Sequence, residues 1–419
     1  MDNGIFRLPS VRMELEFHAQ AALNALTADT DLDDWYEQLT AVTREVCRDA
    51  GILLKTRRTA SVLSARAALG ALHAQIGAHK ATQAQLAQLV VAKEKLVEAE
   101  EAHFGARTDR RFITLLRTGE SSSRNFFLRF KTKPSRVPLA RLAAARSTSR
   151  NDTLRCVEEY YGRLHARPAP SPADAASFLD KIAPRVTPAM AAQLDAPLSV
   201  AELGEAARKL RLGKATGLDG LSPELYQRVP DFLKVVLHVW DKSCERGFLP
   251  RPFHTAAVSL IYKKGAADTL DNYRPISVLP TAYKIVTKAL AMRLAGLMSA
   301  IVPPNQTGFI KGRDIRTNIL EAHLAKAFLA DYGSTGAMLF VDFVKAYDML
   351  LHEFMLDVMQ RLGFGAAFLR AVFTLHNFTF AVFVVNNFHT RAVQLFSGVC
   401  QGCPLAPLLF AIARSRTAR

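Results

Sequence analysis

The residue of this chain best suited to chemistry is Asp342, which follows the apolar run at residues 337–341 and precedes Phe343. An apolar run that follows a glycine, here Gly336, is typical of a buried strand, and a carboxylate at the end of such a strand can face a cleft. There it could bind a divalent cation, or it could be a loop residue held by a salt bridge. The run alone leaves both interpretations open.

A second group of candidate residues is basic and lies between residues 107 and 150. Twelve Lys or Arg stand there against two acidic residues, in a chain of net charge +16 and pI ≈ 9.8. Interleaved phenylalanines predict a surface that neutralises phosphates and packs against bases or sugars, although a solvated basic face is the alternative. The residues predicted to bind nucleic acid are Arg124, Phe126, Phe127, Arg129, Lys131 and Lys133.

The N-terminal part of the chain is predicted to be helical. Apolar residues recur every three or four positions within residues 32–46 and again within residues 59–104. The second stretch predicts a long helix or a helical hairpin broken at Gly70 or Gly77. Its apolar stripe indicates a core or a seam for a partner helix. Residues 1–105 are therefore predicted as a helical N-terminal region, and residues 106–166 as a basic, Phe-containing nucleic-acid-binding extension.

Residues 167–198 hold six prolines and predict a linker with short helical pieces. Ser199 and Glu202 then predict a capping box at the start of a helix, which we expect to end at Gly213. Residues 258–262 read as a strand. Residues 381–385, followed by two asparagines, read as a strand and a hairpin turn.

Composition narrows the class of protein. Five scattered cysteines argue against a disulfide framework and favour a reducing, intracellular compartment. Cys400 and Cys403 are expected to line a tight loop rather than to bind zinc. The N-terminus lacks the apolar segment of a secretory signal. Residues 371–390 carry no charge, but His and Asn interrupt them, so a soluble chain without a membrane partner is expected.

Five blocks of sequence, in this order and at these intervals, resemble the reverse transcriptase of LINE-type, non-LTR retrotransposons. They are residues 262–265, 272–277, 306–313, 337–348 and 398–410. The resemblance extends from about residue 199 to residue 410. It implies an α+β fold, with the fingers and palm of a right-hand polymerase in residues 199–419 after a mostly α-helical N-terminal extension.

The resemblance also implies roles for single residues. Asp342 and the backbone carbonyl of Phe343 would bind Mg²⁺ or Mn²⁺. For Asp348, the residues themselves favour a structural salt bridge over a metal-binding role. The residues expected at the nucleotide are Lys263, Arg274, Phe343, Tyr347, Gln401 and Gly402; those expected at template or primer are Gly308, Gly312 and Arg313, with Arg313 bracing either the site or a phosphate. The implied reaction adds deoxynucleoside triphosphates to the 3′-hydroxyl of a DNA primer on an RNA template, by a two-metal mechanism.

Two departures from the family pattern qualify this expectation. Cys400 stands where the family usually has Arg, and residues 411–419 do not contain the aromatic-x-Asp-Asp turn that follows in the family. We therefore expect a truncated polymerase domain, inactive as residues 1–419. The alternatives are a catalytically dead nucleic-acid-binding remnant and a helical interaction protein with a vestigial resemblance. A nuclear location is implied by the family alone, and the oligomeric state is left open.

Overall fold

A computed structural model describes residues 4–27, 29–77, 82–104, 149–166, 172–332 and 336–414. The chain divides into two compact units, one of residues 1–11 with 45–136 and the other of residues 12–44 with 137–419. The predicted nucleic-acid-binding residues between Arg124 and Lys133 lie outside the described residues. Among the described helices, none combines the length and apolarity that crossing a membrane requires.

In the first unit, the described residues confirm the predicted helical hairpin. Helix α2 (Leu32–Ile76), which follows α1 (Pro9–Asn24), contributes its residues from 45 onwards, and α3 is Gln83–Phe104. Gly77 has a left-handed φ of +50° and ends α2, so the break falls at the second of the two predicted glycines. Arg66 and Glu100 join the two helices through an ion pair of 2.7 Å.

The second unit contains the remaining helices. They are α4 (Arg150–Leu164), α5 (Pro172–Leu179), α6 (Pro188–Asp195), α7 (Val200–Arg208), α8 (Pro223–Arg228), α9 (Asp231–Arg246), α10 (Arg251–His254), α11 (Thr281–Ala295), α12 (Met298–Ile301), α13 (Ile315–Asp331), α14 (His352–Arg361), α15 (Ala366–His376) and α16 (Ala406–Ala413). The short helical pieces predicted within residues 167–198 are α5 and α6. Ile182, Val186 and Leu194 of this segment are buried. The domain boundaries inferred from composition stay predictions.

The start of α7 is the predicted capping box, but its end is not where we expected it. The Ser199 hydroxyl accepts a hydrogen bond from the Glu202 backbone, and the Glu202 carboxylate accepts one from the Ser199 N–H at 3.1 Å. The side-chain amide of Gln227 donates to the carbonyls of Ala207 and Leu210, which satisfies groups that a longer helix would use. The helix therefore ends at Arg208, before Gly213.

A mixed sheet lies among these helices. Its strands are β1 (Ala256–Tyr262), β2 (Tyr273–Val278), β3 (Thr379–Val385), β4 (Phe388–His389) and β5 (Val393–Leu395). Their order is β2-β1-β3-β4, with β5 also paired to β3; β1 is antiparallel to β2 and parallel to β3. Asn386 and Asn387 have φ of +50° and +68°, which is the predicted two-residue hairpin turn. The expected α+β class is confirmed.

The prediction of a buried strand at residues 337–341 is wrong. These residues have no regular structure, and Leu339 and Phe340 are 88% and 84% exposed. Within the described sheet no strand lies beside them, so their backbone lacks the ladder partners that a strand requires. Helix α13, which precedes this segment, likewise buries none of its residues. An apolar pattern yields a buried strand only where a neighbouring strand and a covering layer exist.

Candidate active site

The hairpin of β1 and β2 positions two of the predicted nucleotide-binding cations. Arg274 is directly opposite Ile261, and the Lys263 N–H donates to the Asn272 carbonyl at 2.8 Å, which extends the ladder past β1. Opposed residues share a face of a sheet, and so do residues two apart along one strand. Lys263 and Arg274 therefore lie on the same face of the hairpin. Both are exposed, whereas Lys264, also exposed, lies in the bend beyond the paired residues.

The turn that joins these strands is fixed by hydroxyl groups. Tyr262 donates to the Gly265 carbonyl at 2.5 Å, and Tyr273 donates to the Ala267 carbonyl at 2.6 Å. The two tyrosine rings contact each other edge-on, with centroids 5.6 Å apart. Gly265 lies beside the Asn272 side chain, and its φ of +94° is a backbone conformation that other residues rarely adopt. The backbone that carries Lys263 is thus held at several points.

Asp342 lies on the exposed segment rather than in a cleft. The ring of the neighbouring Phe343 lies 4.4 Å below the Arg414 guanidinium. Within the described residues, no group of three His, Cys, Asp or Glu side chains could hold a metal ion. The Asp342 carboxylate and the Phe343 carbonyl can supply part of an oxygen shell, but a two-metal site requires more carboxylates than these residues bring together.

The turn after Asp342 is well packed. Tyr347 stacks on Phe410 of α16 with ring centroids 4.9 Å apart, and its carbonyl accepts from the Val399 N–H at 2.8 Å. Asp348 is 8% exposed, and burial raises its pKa to about 6 against an opposing effect of Lys345. In the described part of the chain Asp348 makes no ion pair within 4 Å, so its predicted salt bridge is wrong. Lys345 binds another carboxylate.

The predicted Gln401–Gly402 turn lies against β2. The Ser277 N–H donates to the Gln401 carbonyl at 2.9 Å. Gly402 has φ of +137°, and a Cβ atom there would overlap the Ser277 carbonyl oxygen. Gly398, with φ of +89°, packs in the same way on the Asp348 carbonyl. The structure thus brings the Gln401 turn, the Tyr347 turn and the Arg274 strand together.

The two cysteines of this turn behave as the loop interpretation expects. The Cys403 N–H donates to the Cys400 carbonyl at 3.0 Å. Burial raises the pKa of Cys400 to about 12 and also raises that of Cys403. The expectation that the two cysteines do not bind zinc stays a prediction.

Arg313 braces its own loop. Its guanidinium donates to the carbonyls of Gln306 at 2.9 Å and Ser299 at 3.0 Å, and also to those of Pro303 and Val302. These contacts favour the structural alternative for Arg313 over a phosphate contact. Gly312 takes a left-handed φ of +83°, and Gly308 lies beside the Gln306 side chain. The template or primer role of both glycines stays a prediction.

The loop at residues 213–222, which precedes α8, surrounds a buried acid. Asp219 is 4% exposed; burial raises its pKa to about 7, although the Leu221 N–H, Lys284 and Arg44 act in the opposite direction. Tyr36 of α2 and Tyr226 of α8 also face it. Arg44 and Tyr36 show that the first residues of α2 belong to this unit, which the sequence analysis missed.

Two further residues escaped the sequence analysis, Tyr160 and Asp271. The Tyr160 hydroxyl donates to the Asp271 carboxylate at 2.6 Å, and the Lys345 ammonium lies 2.5 Å from the same carboxylate. Asp271 is adjacent to the Asn272–Ser277 block, and this position in the sequence could have pointed to a role at the site. Nothing in the sequence near Tyr160 pointed to this contact, because the partners are 111 and 185 residues away.

Comparison with known proteins identifies the domain. Residues 261–419 match the family described as reverse transcriptase (RNA-dependent DNA polymerase). The chain is 30% identical over 335 residues to the transposon TX1 uncharacterized 149 kDa protein of Xenopus laevis, covering 79% of this chain and 26% of that protein. It is 28% identical over 225 residues to the probable RNA-directed DNA polymerase from transposon BS of Drosophila melanogaster, covering 52% of this chain and 24% of that protein.

A third relative is the retrovirus-related Pol polyprotein from type-1 retrotransposable element R2 of Popillia japonica, 27% identical over 202 residues, which are 47% of this chain and 27% of that protein. The chain thus spans about a quarter of the length of these relatives. The order of the matched blocks, the α+β fold and these matches agree with the resemblance found in the sequence. The chain carries, in residues 261–419, a reverse transcriptase domain homologous to those of non-LTR retrotransposons.

Proposed function

We propose that residues 199–419 form the fingers and part of the palm of an RNA-directed DNA polymerase, which binds a deoxynucleoside triphosphate opposite an RNA template beside a DNA primer. The observation that carries this proposal is the β1–β2 register, which puts Lys263 and Arg274 on one exposed face. Two convergent cations are what a triphosphate requires. The Gln401–Gly402 turn, which lies against β2, would contact the nucleotide and the template base.

The stacked Tyr347 would lie under the sugar of the incoming nucleotide, as the resemblance implies. A divalent cation, Mg²⁺ or Mn²⁺, would take Asp342 and the Phe343 carbonyl as two of its ligands. The described residues do not complete the oxygen shell of such a cation. Binding of the nucleotide, rather than primer extension, is therefore the property of residues 1–419 that tests the proposal.

Nucleotide affinity should depend on the two cations that share one face of the hairpin. We expect Lys263→Ala and Arg274→Ala each to raise the Kd of a fluorescent deoxynucleoside triphosphate about tenfold, because each removes a charge-assisted hydrogen bond to phosphate. Fluorescence anisotropy of the 419-residue chain in Mg²⁺ buffer measures this.

The matched control is Lys264→Ala, which removes the same charge from the next residue, in the bend outside the paired strands. It should change the Kd by less than about twofold, since an exposed charge at a distance is screened by salt. Equal losses in the three variants would show nonspecific attraction and contradict the proposed site. Absence of binding by the unsubstituted chain would contradict the proposed function itself.

The second candidate function is nucleic-acid binding by the basic extension, which the twelve Lys and Arg between residues 107 and 150 favour. We expect RNA affinity to fall steeply with salt, and the combined variant Arg124→Ala, Arg129→Ala, Lys131→Ala and Lys133→Ala to reduce the slope of log K against log salt by about 3. Each phosphate contact on a single strand contributes roughly 0.7 to that slope through counterion release. Titrations at several salt concentrations measure it.

A control of equal charge replaces Arg48, Lys209, Lys234 and Lys242 by Ala. These exposed side chains already pair with acidic neighbours on their own helices at 2.6–3.1 Å. Their loss should leave the slope nearly unchanged. If both sets of substitutions reduced the slope equally, net charge and not the basic extension would be the cause of binding.

A further inference from the structure

Three side chains from separate elements meet at one point, and we call them the Tyr160–Asp271–Lys345 clasp. The Asp271 carboxylate accepts from the Tyr160 hydroxyl at 2.6 Å and lies 2.5 Å from the Lys345 ammonium. Lys345 also contacts the Tyr160 hydroxyl, and its ammonium lies 4.6 Å from the centre of the Tyr160 ring. Each member therefore touches both others.

The clasp joins the two parts of the candidate active site. Asp271 lies just before β2, at the turn end of the hairpin that carries Lys263 and Arg274. Lys345 is in the turn between Asp342 and Tyr347, where it has a left-handed φ of +47°. A non-glycine residue keeps such a backbone only where surrounding contacts hold it. The Lys345 side chain is 21% exposed, and its ammonium already binds the Asp271 carboxylate.

Tyr160 belongs to α4, and this helix packs on the sheet. The adjacent Tyr161 stacks on Phe383 of β3 with centroids 4.1 Å apart. At the end of the helix, the His165 carbonyl accepts from the Phe396 N–H at 3.1 Å, and Glu158 accepts from the Arg391 N–H at 2.7 Å. The clasp thus has a fixed third point outside the hairpin and the turn.

We propose that the Tyr160–Asp271–Lys345 clasp sets the position of the Lys263–Arg274 face relative to the Tyr347 turn, and that its members are positioning residues for the incoming nucleotide. Lys345 acts through Asp271 and not on phosphate, because its ammonium is engaged. The Asp271 side chain is 62% exposed, so the ion pair adds little to the global free energy of unfolding, and its effect is on the local order and position of the two segments that it joins. Its consequence for the nucleotide rests on the proposed function.

Hydrogen exchange tests the clasp in the 419-residue chain. Lys345→Met and Asp271→Asn should each speed native-state exchange about tenfold in peptides 263–274 and 343–350, although these lie some 75 residues apart, since losing a charged hydrogen bond costs about that factor. The double variant should exchange no faster than either single variant. Arg391→Gln, which removes the side-chain ion pair of Arg391 with Glu158 of α4 at 3.5 Å, should leave both peptides unchanged.

Nucleotide affinity provides the second readout. Each single variant should raise the Kd about three- to tenfold, with no further loss in the double variant, because misplaced cations no longer converge on one triphosphate. Tyr160→Phe, which keeps the ring and removes the hydroxyl, serves if a charge variant fails to fold. Additive effects, or exchange confined to the mutated peptide, would overturn the clasp. If the unsubstituted chain bound no nucleotide, the proposed function would fail while the exchange data would still decide on the clasp.

Discussion

Gly402→Ala is expected to destabilise the second compact unit by about 3 kcal/mol and to lower its unfolding midpoint by about 6 °C or more. Two costs combine at this residue. Its φ of +137° lies in a region that side chains rarely adopt, and the added methyl would overlap the Ser277 carbonyl. The turn can relieve that overlap only by moving Gln401 away from β2. Thermal unfolding and nucleotide binding measure the two effects.

Gly312→Ala separates the backbone cost from the overlap. Gly312 also has a left-handed φ, +83°, but a Cβ atom there would meet nothing within 4 Å. The Gly312→Ala substitution should lower the free energy of unfolding by only about 1 kcal/mol, the usual penalty for an alanine in the left-handed conformation. Similar losses at both positions would show that the Ser277 contact does not constrain the Gln401–Gly402 turn.

Asp219→Asn is expected to stabilise the protein, and to do so more strongly as the pH rises. Burial raises the folded-state pKa of Asp219 from 3.8 to about 7. A group with a raised folded pKa favours folding fully below its unfolded pKa, and that contribution is lost as pH rises through the folded pKa. Asparagine keeps the acceptor for the Leu221 N–H and carries no charge, so the gain at pH 8 is on the order of 2–4 kcal/mol.

The gain should shrink steadily between pH 7 and pH 4 and vanish below about pH 4, where aspartate is protonated in both states. Urea unfolding across this range measures it. Lys284 loses an attractive partner in the variant, which reduces the gain.

Glu202→Gln is a control of opposite sign. Hydrogen bonding to Arg293 lowers the pKa of Glu202. This variant should therefore be less stable than the parent at pH 7 and approach the stability of the parent as the pH falls. A pH-independent difference for Asp219→Asn would contradict the buried-acid account.

The sequence predicted best where the signal was local. The Ser199–Glu202 capping box, the break at Gly77 and the Asn386–Asn387 turn each depend on a few adjacent residues, and each is present. The strand at residues 337–341 was predicted from an apolar run, but pairing depends on a partner that no local pattern reveals.

Contacts between distant residues were also beyond the sequence. Tyr160 and Lys345 are 185 residues apart, and composition gives no reason to connect them. The sequence analysis did not single out Asp219, because its burial results from α2, α8 and α11 closing around it. The roles of Lys263 and Arg274 came from the resemblance, while the register adds that they share a face.

The anchored turn at Lys345–Asp348 has a consequence for how the exposed segment at residues 337–344 would acquire order. One end of that segment is already fixed by the clasp and by the stacking of Tyr347 on Phe410. Fixing each further residue costs conformational entropy, and the cost of closing a loop grows with its length. Pairing with another strand would therefore nucleate beside Val344 and propagate towards Ala337. Asp342, two residues from the fixed end, would be among the first side chains to be placed.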